Sequence, residues 1–344
     1  MLKIGIIGCG KIAQVRHIPE YAAHDQAEII AFYDKTPRRA EDMAEKYGGQ
    51  AYPSLEALLA DETIDAVSVC VANHMHAEVT IQALRAGKHV LCEKPMAMTM
   101  DDCRTMVELA AETGKELVIG HNQILTPAHR RAKELLDQGL IGDVLTFRTT
   151  FGHGGPEAWS IDPGPGTWFF NKEVAVLGAM ADLGVHKVYL LHYLTGQRFA
   201  EVMADFATLD KTYASGQPIM VEDNALCIFR MENGIRGTLA ASWTYYGPED
   251  NSTVLYGTKG IMRVYDDQDY SIVVTLRDGE TIYYDLESIQ TNENQTKSGV
   301  IDAFMATILE GQETELSGEK ALHSMATIFA AIESAKQKRS VRID

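Results

Sequence analysis

The chain has 344 residues, 46% hydrophobic and 23% charged, which is too long for one ordinary core and typical of a globular protein of two domains. Its formal charge of −17 argues against nucleic acid and anionic membrane surfaces as partners. Five cysteines, Cys9, Cys70, Cys92, Cys103 and Cys227, are scattered with no CxxC pairing and read as small core residues of a reducing compartment. Met1-Leu2-Lys3 runs straight into the first strand, so no signal peptide is expected. Nor is any apolar stretch expected to approach membrane-spanning length, and the cytoplasm is the expected location.

The apolar run 4–7 predicts a buried strand, followed by Gly8-Cys9-Gly10-Lys11-Ile12-Ala13 and a helix over 15–23. Strand, glycine turn and helix in that order form a dinucleotide-phosphate cradle. Gly8 permits the tight turn, and Gly10 lets backbone approach a pyrophosphate. That charge sits at the N-terminus of the helix, and Lys11 and Ile12 of the turn are further candidate cofactor contacts. The next strand, 28–33, ends on Asp34, whose carboxylate accepts from both adenine-ribose hydroxyls and repels a 2′-phosphate. This favours NAD over NADP, although Lys35, Arg38 and Arg39 follow closely.

Thr36-Pro37 predicts a helix start, and Gly48 its stop. A short strand at 51–52 and a helix capped by Ser54 follow. The continuous apolar run 66–71 then has the length of a parallel strand buried on both faces. At its carboxyl end stand Ala72, Asn73 and His76, candidates for contact with ribose or nicotinamide. Neighbouring His74 and His76 lack the cysteine or carboxylate partners a metal site needs, so no metal is expected. A helix over 77–86 leads to the strand 89–92 and Glu93-Lys94-Pro95. Another helix begins at Thr99, and the strand 117–120 completes six, with Asn122 just beyond. Glu93 and Asn122 join the candidate cofactor contacts. Lys94, at a strand's carboxyl end, is placed to reach a substrate, although a surface lysine before a turn reads the same way.

From residue 143 the period changes. Strand-like stretches at 221–230, 235–245, 252–256, 261–265 and 281–285, with Asn233-Gly234 and Asp278-Gly279 turns, predict a mostly antiparallel sheet. Two amphipathic helices close the chain, the second with Leu322, Met325, Phe329 and Ile332 on its packed face. The glycine- and proline-rich segment 152–166 is a long irregular loop. After it comes Trp168-Phe169-Phe170, and Trp168 is a candidate for stacking on a sugar ring. Asp182-Leu183-Gly184-Val185-His186, if helical, puts a carboxylate and an imidazole on one face. Such a pair suits a general base, and an exposed structural pair is the plain alternative.

Taken together, Gly8-Cys9-Gly10-Lys11-Ile12-Ala13, the stretch from Ala83 through Glu93-Lys94-Pro95, and Asp182-Leu183-Gly184-Val185-His186 resemble the glucose–fructose oxidoreductase/inositol dehydrogenase/MocA (Gfo/Idh/MocA) family across essentially the whole chain. The resemblance implies a Rossmann domain at 1–122 and an α/β domain at 123–344 with a large open, mostly antiparallel sheet. The outer face of that sheet would make a homodimer or homotetramer. It implies Lys94, Asp182 and His186 as catalytic and substrate-binding residues near the nicotinamide. The implied activity is NAD(P)-dependent oxidation of a secondary alcohol on a sugar or cyclic polyol. A redox-neutral NAD-dependent glycosidase or lyase and a non-catalytic NAD- or sugar-sensing regulator are the competing readings. Val71-Ala72-Asn73, Ile124, Tyr189 and Val176-Leu177-Gly178-Ala179 depart from the family pattern, and Ile124 and Tyr189 imply a pocket rim unlike that of the better-known polyol enzymes.

Overall fold

In this computed structural model, which describes residues 1–287 and 297–343, alternating apolar runs and helices build a six-stranded parallel sheet. Its strands are β1 (Leu2–Ile7), β2 (Ala27–Tyr33), β3 (Gln50–Ala51), β4 (Ala66–Val69), β5 (His89–Cys92) and β6 (Leu117–Ile119). Their order, β3-β2-β1-β4-β5-β6, is the doubly wound Rossmann arrangement, which brings the carboxyl ends of β1 and β4 side by side. Ile4, Ile6, Val67, Val69, Val90 and Leu91 are buried, as parallel strands covered on both faces require. This unit comprises Met1–Asn122 together with Gln290–Leu322. Helix Val300–Glu310 therefore belongs with the parallel sheet, whereas a single boundary at 122 would assign it to the later part of the chain. One tether is visible just before it, where the Ser298 N–H and hydroxyl donate to the Glu20 carboxylate at 2.7 and 3.1 Å.

Two local expectations change here. The helix expected over 15–23 is an α-helix only at Ile18–Ala23, and Ala13–His17 is wound as a wider π-turn. Thr36 holds the N-cap position of helix Pro37–Tyr47 but makes no side-chain cap bond. Its N–H instead donates to Asp34 Oδ1 at 2.8 Å.

The second unit comprises Gln123–Ile289 with His323–Asp344 and carries a nine-stranded sheet. Its strands are β7 (Val144–Gly152), β8 (Phe199–Ala207), β9 (Asn224–Met231), β10 (Arg236–Ser242), β11 (Thr253–Gly257), β12 (Gly260–Val264), β13 (Ile272–Leu276), β14 (Thr281–Tyr284) and β15 (Val341–Arg342). They run β14-β13-β12-β11-β7-β10-β9-β8-β15, antiparallel except for the parallel pair β7–β10. Both expected hairpins form, with Met231 N–H on Ile235 O and Leu276 N–H on Glu280 O, each at 2.8 Å. Strands β7, β8, β13 and β15 are not among the expected strands.

The last helix, Gly318–Gln337, buries a different stripe from the one expected. Ala321, Met325, Ile328 and Ala331 are buried, while Leu322, Phe329 and Ile332 are only half-buried. Small residues win because the helix approaches β8 closely, where Ser334 Oγ accepts the Ala204 N–H at 2.9 Å. The expectation of no membrane-length apolar stretch is also corrected. Lys172–Thr195 is long and apolar enough, with a mean hydropathy of 1.5, yet 83% of that window is buried inside the protein, as in a core helix.

Candidate active site

The glycine turn is built as its sequence requires. Gly8 has φ +91°, and a Cβ there would stand 2.6 Å from the Cys70 carbonyl oxygen, so no larger residue fits between β1 and β4. A Cβ on Gly10 would meet nothing within 4 Å, which leaves the mouth of the turn open to a ligand. Lys11 and Ile12, half-buried, follow at the start of the helical turn. Asp34 is buried at the end of β2, where Oδ2 accepts the Cys9 N–H at 2.8 Å and Oδ1 that of Thr36. Its carboxylate thus fixes the turn while keeping further lone pairs for a ribose.

The loops after β4, β5 and β6 carry the other candidates of this unit. Ala72 is half-buried and Asn73 buried at the start of a single 3₁₀ turn. His74 is exposed, whereas His76 is buried, with its ring nitrogens 2.7 Å from Pro95 O and 3.0 Å from Val71 O. Burial lowers the His76 pKa, and the two carbonyls partly offset it. His76 therefore clamps one loop to the next. Asn122 is buried, and among the described residues its Oδ1 has no hydrogen-bond partner. An orphaned buried acceptor and an open glycine turn both fit a bound dinucleotide.

Glu93 is 4% exposed and fully engaged by protein groups. Oε1 accepts from Arg16 Nη1 and His17 Nε2, each at 2.9 Å, and Oε2 from the Lys94 N–H at 3.2 Å. Burial alone would raise its pKa, but Arg16, His17 and Lys94 outweigh it and hold the carboxyl far below the usual range. Lys94 itself is half-buried, and its bond to Pro95 is cis.

In the second unit, Met180–Gly184 forms another π-turn, with Val185 N–H donating to Met180 O, and helix Val185–Thr195 continues from it. Asp182 and His186 lie on this passage and are each 7% exposed. Trp243, absent from the sequence candidates, donates its Nε1–H to Asp182 Oδ2 at 3.1 Å and is itself fully buried. The His186 ring lies 5.8 Å from that of Phe151 at the end of β7. Aromatic rings continue outward. Phe169 packs against Trp243 and Trp159, and half-buried Trp168 stacks on Phe169 at 3.9 Å. This surface suits the C–H face of a sugar ring. The irregular segment before it is pinned by Lys211, which donates to Gly154 O at 2.6 Å and pairs with Glu157.

The π-turn is held where it is by an unusually close approach. Met180 N–H donates to Glu222 Oε1 at 3.0 Å and Ala179 N–H to Glu222 O at 2.9 Å. A Cβ on Gly178 would lie 1.8 Å from that carbonyl oxygen. Gly178→Ala is therefore expected to destabilise the protein by about 3 kcal/mol and lower its Tm, as denaturant and thermal unfolding would record. A loss of under about 0.5 kcal/mol would contradict the close approach.

Lys187 was also missed by the sequence reading. It is 0% exposed, and Nζ donates to Asn251 O at 2.8 Å and to Thr253 Oγ1 at 3.4 Å, with the Phe151 ring 5.8 Å away. Burial pushes its pKa down to about 7, against the opposing pull of Asp250 and Glu249. Unfolded lysine titrates near ~10.4, so between these values the unfolded chain holds a proton that the folded chain has released. Stability should therefore rise with pH from about 7 to about 10, by up to about 1.4 kcal/mol per pH unit. Unfolding titrations at neutral and alkaline pH should show this rise in the native protein and lose it in Lys187→Met. Equal slopes would contradict it.

Comparison with known proteins agrees with this fold. Residues 2–121 match the family model described as an oxidoreductase family with an NAD-binding Rossmann fold, and residues 129–263 match the GFO/IDH/MocA C-terminal domain. The chain is 26% identical over 349 residues to a myo-inositol 2-dehydrogenase of Thermotoga maritima, spanning 100% of this chain and 99% of that one. It is 29% identical over 289 residues to a levoglucosan dehydrogenase of Pseudarthrobacter phenanthrenivorans, spanning 75% and 72% of the two chains. Among solved structures, levoglucosan dehydrogenase in complex with NADH and levoglucosan superposes with a TM-score of 0.86 at 25% identity, covering 100% of this chain and 99% of that one.

Proposed function

We propose a function from one premise: the chain belongs to the GFO/IDH/MocA family of NAD-binding oxidoreductases. Within it, this protein is a dehydrogenase that oxidises a secondary alcohol of a sugar or cyclic polyol, with NAD preferred over NADP. The observation that carries the reading is the buried pair Asp182 and His186 beside an aromatic surface, with Trp243 fixing the carboxylate.

In this reading His186 accepts the hydroxyl proton as general base, and Asp182 orients it while binding a neighbouring hydroxyl. Lys94 hydrogen-bonds the reacting oxygen, and its charge favours the alkoxide-like transition state. Trp168 stacks on the sugar ring. NAD, when bound, supplies the acceptor for the hydride of the carbinol carbon. Gly8, Gly10, Lys11 and Ile12 would hold its pyrophosphate and Asp34 its adenine ribose, with Ala72, Asn73, His76 and Asn122 lining the remainder. The first unit thus serves the dinucleotide and supplies Lys94, and the second supplies Asp182, His186 and Trp168.

The same reading covers assembly and location. Met203, Leu226 and Ile228 stand 52%, 57% and 59% exposed on neighbouring strands β8 and β9, an apolar patch suited to pairing identical copies as a homodimer or homotetramer. All five cysteines are buried and free, consistent with a cytoplasmic protein. A screen of cyclic polyols, aldoses, sugar acids and anhydrosugars with NAD and with NADP tests the function. Cofactor reduction by at least one class, faster with NAD, is expected. No reduction by any class, or a preference for NADP, would overturn it.

A further inference from the structure

The first unit holds a buried polar chain that the hydride chemistry does not use. Tyr21 Oη lies 3.0 Å from Ser68 Oγ, Ser68 Oγ 3.1 Å from His17 Nδ1, and His17 Nε2 2.9 Å from Glu93 Oε1. With the His17 proton on Nε2, a consistent set of donors serves all three contacts. Tyr21 donates to Ser68, Ser68 to His17 Nδ1, and His17 Nε2–H to the carboxylate. Arg16 reaches the same oxygen from the same π-turn. Ser68 and His17 are 0% exposed, and Arg16 4%. Beyond these, Glu93 feels Lys94, Cys70, His76 and His121.

The winding explains the reach. A regular helix directly after the glycine turn would send two successive residues, 16 and 17, in directions well apart. The wider turn over Ala13–His17 lets both side chains end on one carboxylate oxygen at equal distance. The other oxygen of that carboxylate holds the Lys94 backbone N–H. The nucleotide cradle and the segment carrying Lys94 are therefore joined by one charged, solvent-excluded connection.

We infer that Arg16 and His17 are positioning residues for Lys94, acting through Glu93, with Ser68 and Tyr21 fixing the orientation of His17. Glu93 belongs to this connection rather than to the cofactor contacts. The inference rests on Lys94 being catalytic and deepens that reading. A displaced Lys94 backbone moves the ammonium away from the reacting oxygen, and an error of about 1 Å there costs about a hundredfold in rate. The cradle that binds dinucleotide is left intact.

The test separates rate from cofactor affinity. His17→Phe keeps a flat aromatic ring, slightly larger, and removes both ring nitrogens, so kcat should fall at least about tenfold while the Kd for NAD, measured by titration, stays within about threefold. His17→Gln keeps a donor toward Glu93 and should recover most of the lost rate. Ser68→Ala is the milder variant that preserves the ion pair, and it should lower kcat about threefold to tenfold with NAD affinity unchanged. If His17→Phe fails to bind NAD, Ser68→Ala decides alone. Native kcat in NAD-binding His17→Phe or in Ser68→Ala would overturn the inference, as would His17→Gln as slow as His17→Phe. Lys94→Met, measured alongside, keeps the two claims apart: if it retains turnover, the catalytic reading fails, whatever the His17 variants do.

Discussion

Lys94→Met is expected to reduce turnover by about a thousandfold or more while leaving NAD affinity within about threefold of native. The methionine preserves length and much of the apolar stem. The change therefore removes the charge and the hydrogen-bond donor and little else. The backbone N–H of residue 94, held by Glu93 at 3.2 Å, persists in the variant, so the segment keeps its anchor. An electrostatic contribution realised only as the oxygen gains charge lowers kcat and kcat/KM together. Steady-state kinetics paired with an NAD titration checks this. A fall in NAD affinity equal to the fall in rate would make Lys94 a structural residue.

His186→Ala should lower turnover by about a hundredfold to ten-thousandfold, most severely at low pH. With the imidazole gone, the hydroxyl proton must leave to water or hydroxide, and hydroxide becomes available as pH rises. The variant should therefore recover part of its rate at alkaline pH, narrowing the gap to the native enzyme. Removing the ring also exposes Phe151, 5.8 Å away, but leaves the Trp243–Asp182 bond in place. A pH–rate profile for both proteins, with thermal unfolding to establish that the variant folds, measures this. A constant ratio between the two across the pH range would exclude His186 as the base.

Much of this architecture is written in local sequence. Gly8, Gly10 and Asp34 are legible because a tight turn, an open backbone and a carboxylate at a strand end are requirements of short range. The parallel strands show as continuous apolar runs, and the hairpins as Asn233-Gly234 and Asp278-Gly279. Features that depend on distant partners are not legible. Trp243 meets Asp182 across 61 positions, and Glu222 holds Met180 across 42. Nothing in their neighbourhoods signals either contact.

The two π-turns escape for a related reason. Periodicity over 13–17 and 180–184 is compatible with an ordinary helix, and the wider winding is fixed by what the side chains reach. Nothing near Lys187 in the sequence marks it as a core residue, yet it is fully buried, with the Asn251 carbonyl and Thr253 hydroxyl accepting from its Nζ. The final helix shows the converse. Its larger residues suggest one packed face, but the smaller ones allow the close approach to β8.

The most direct test of the account is the stoichiometry of a single turnover. Enzyme with excess NAD and a substrate from the screen would be mixed rapidly, and NADH and ketone measured together. Equal amounts of the two products, formed by the native protein and not by Lys94→Met, are predicted. Cleavage of a glycosidic bond with no net NADH would contradict that prediction and identify a redox-neutral cycle.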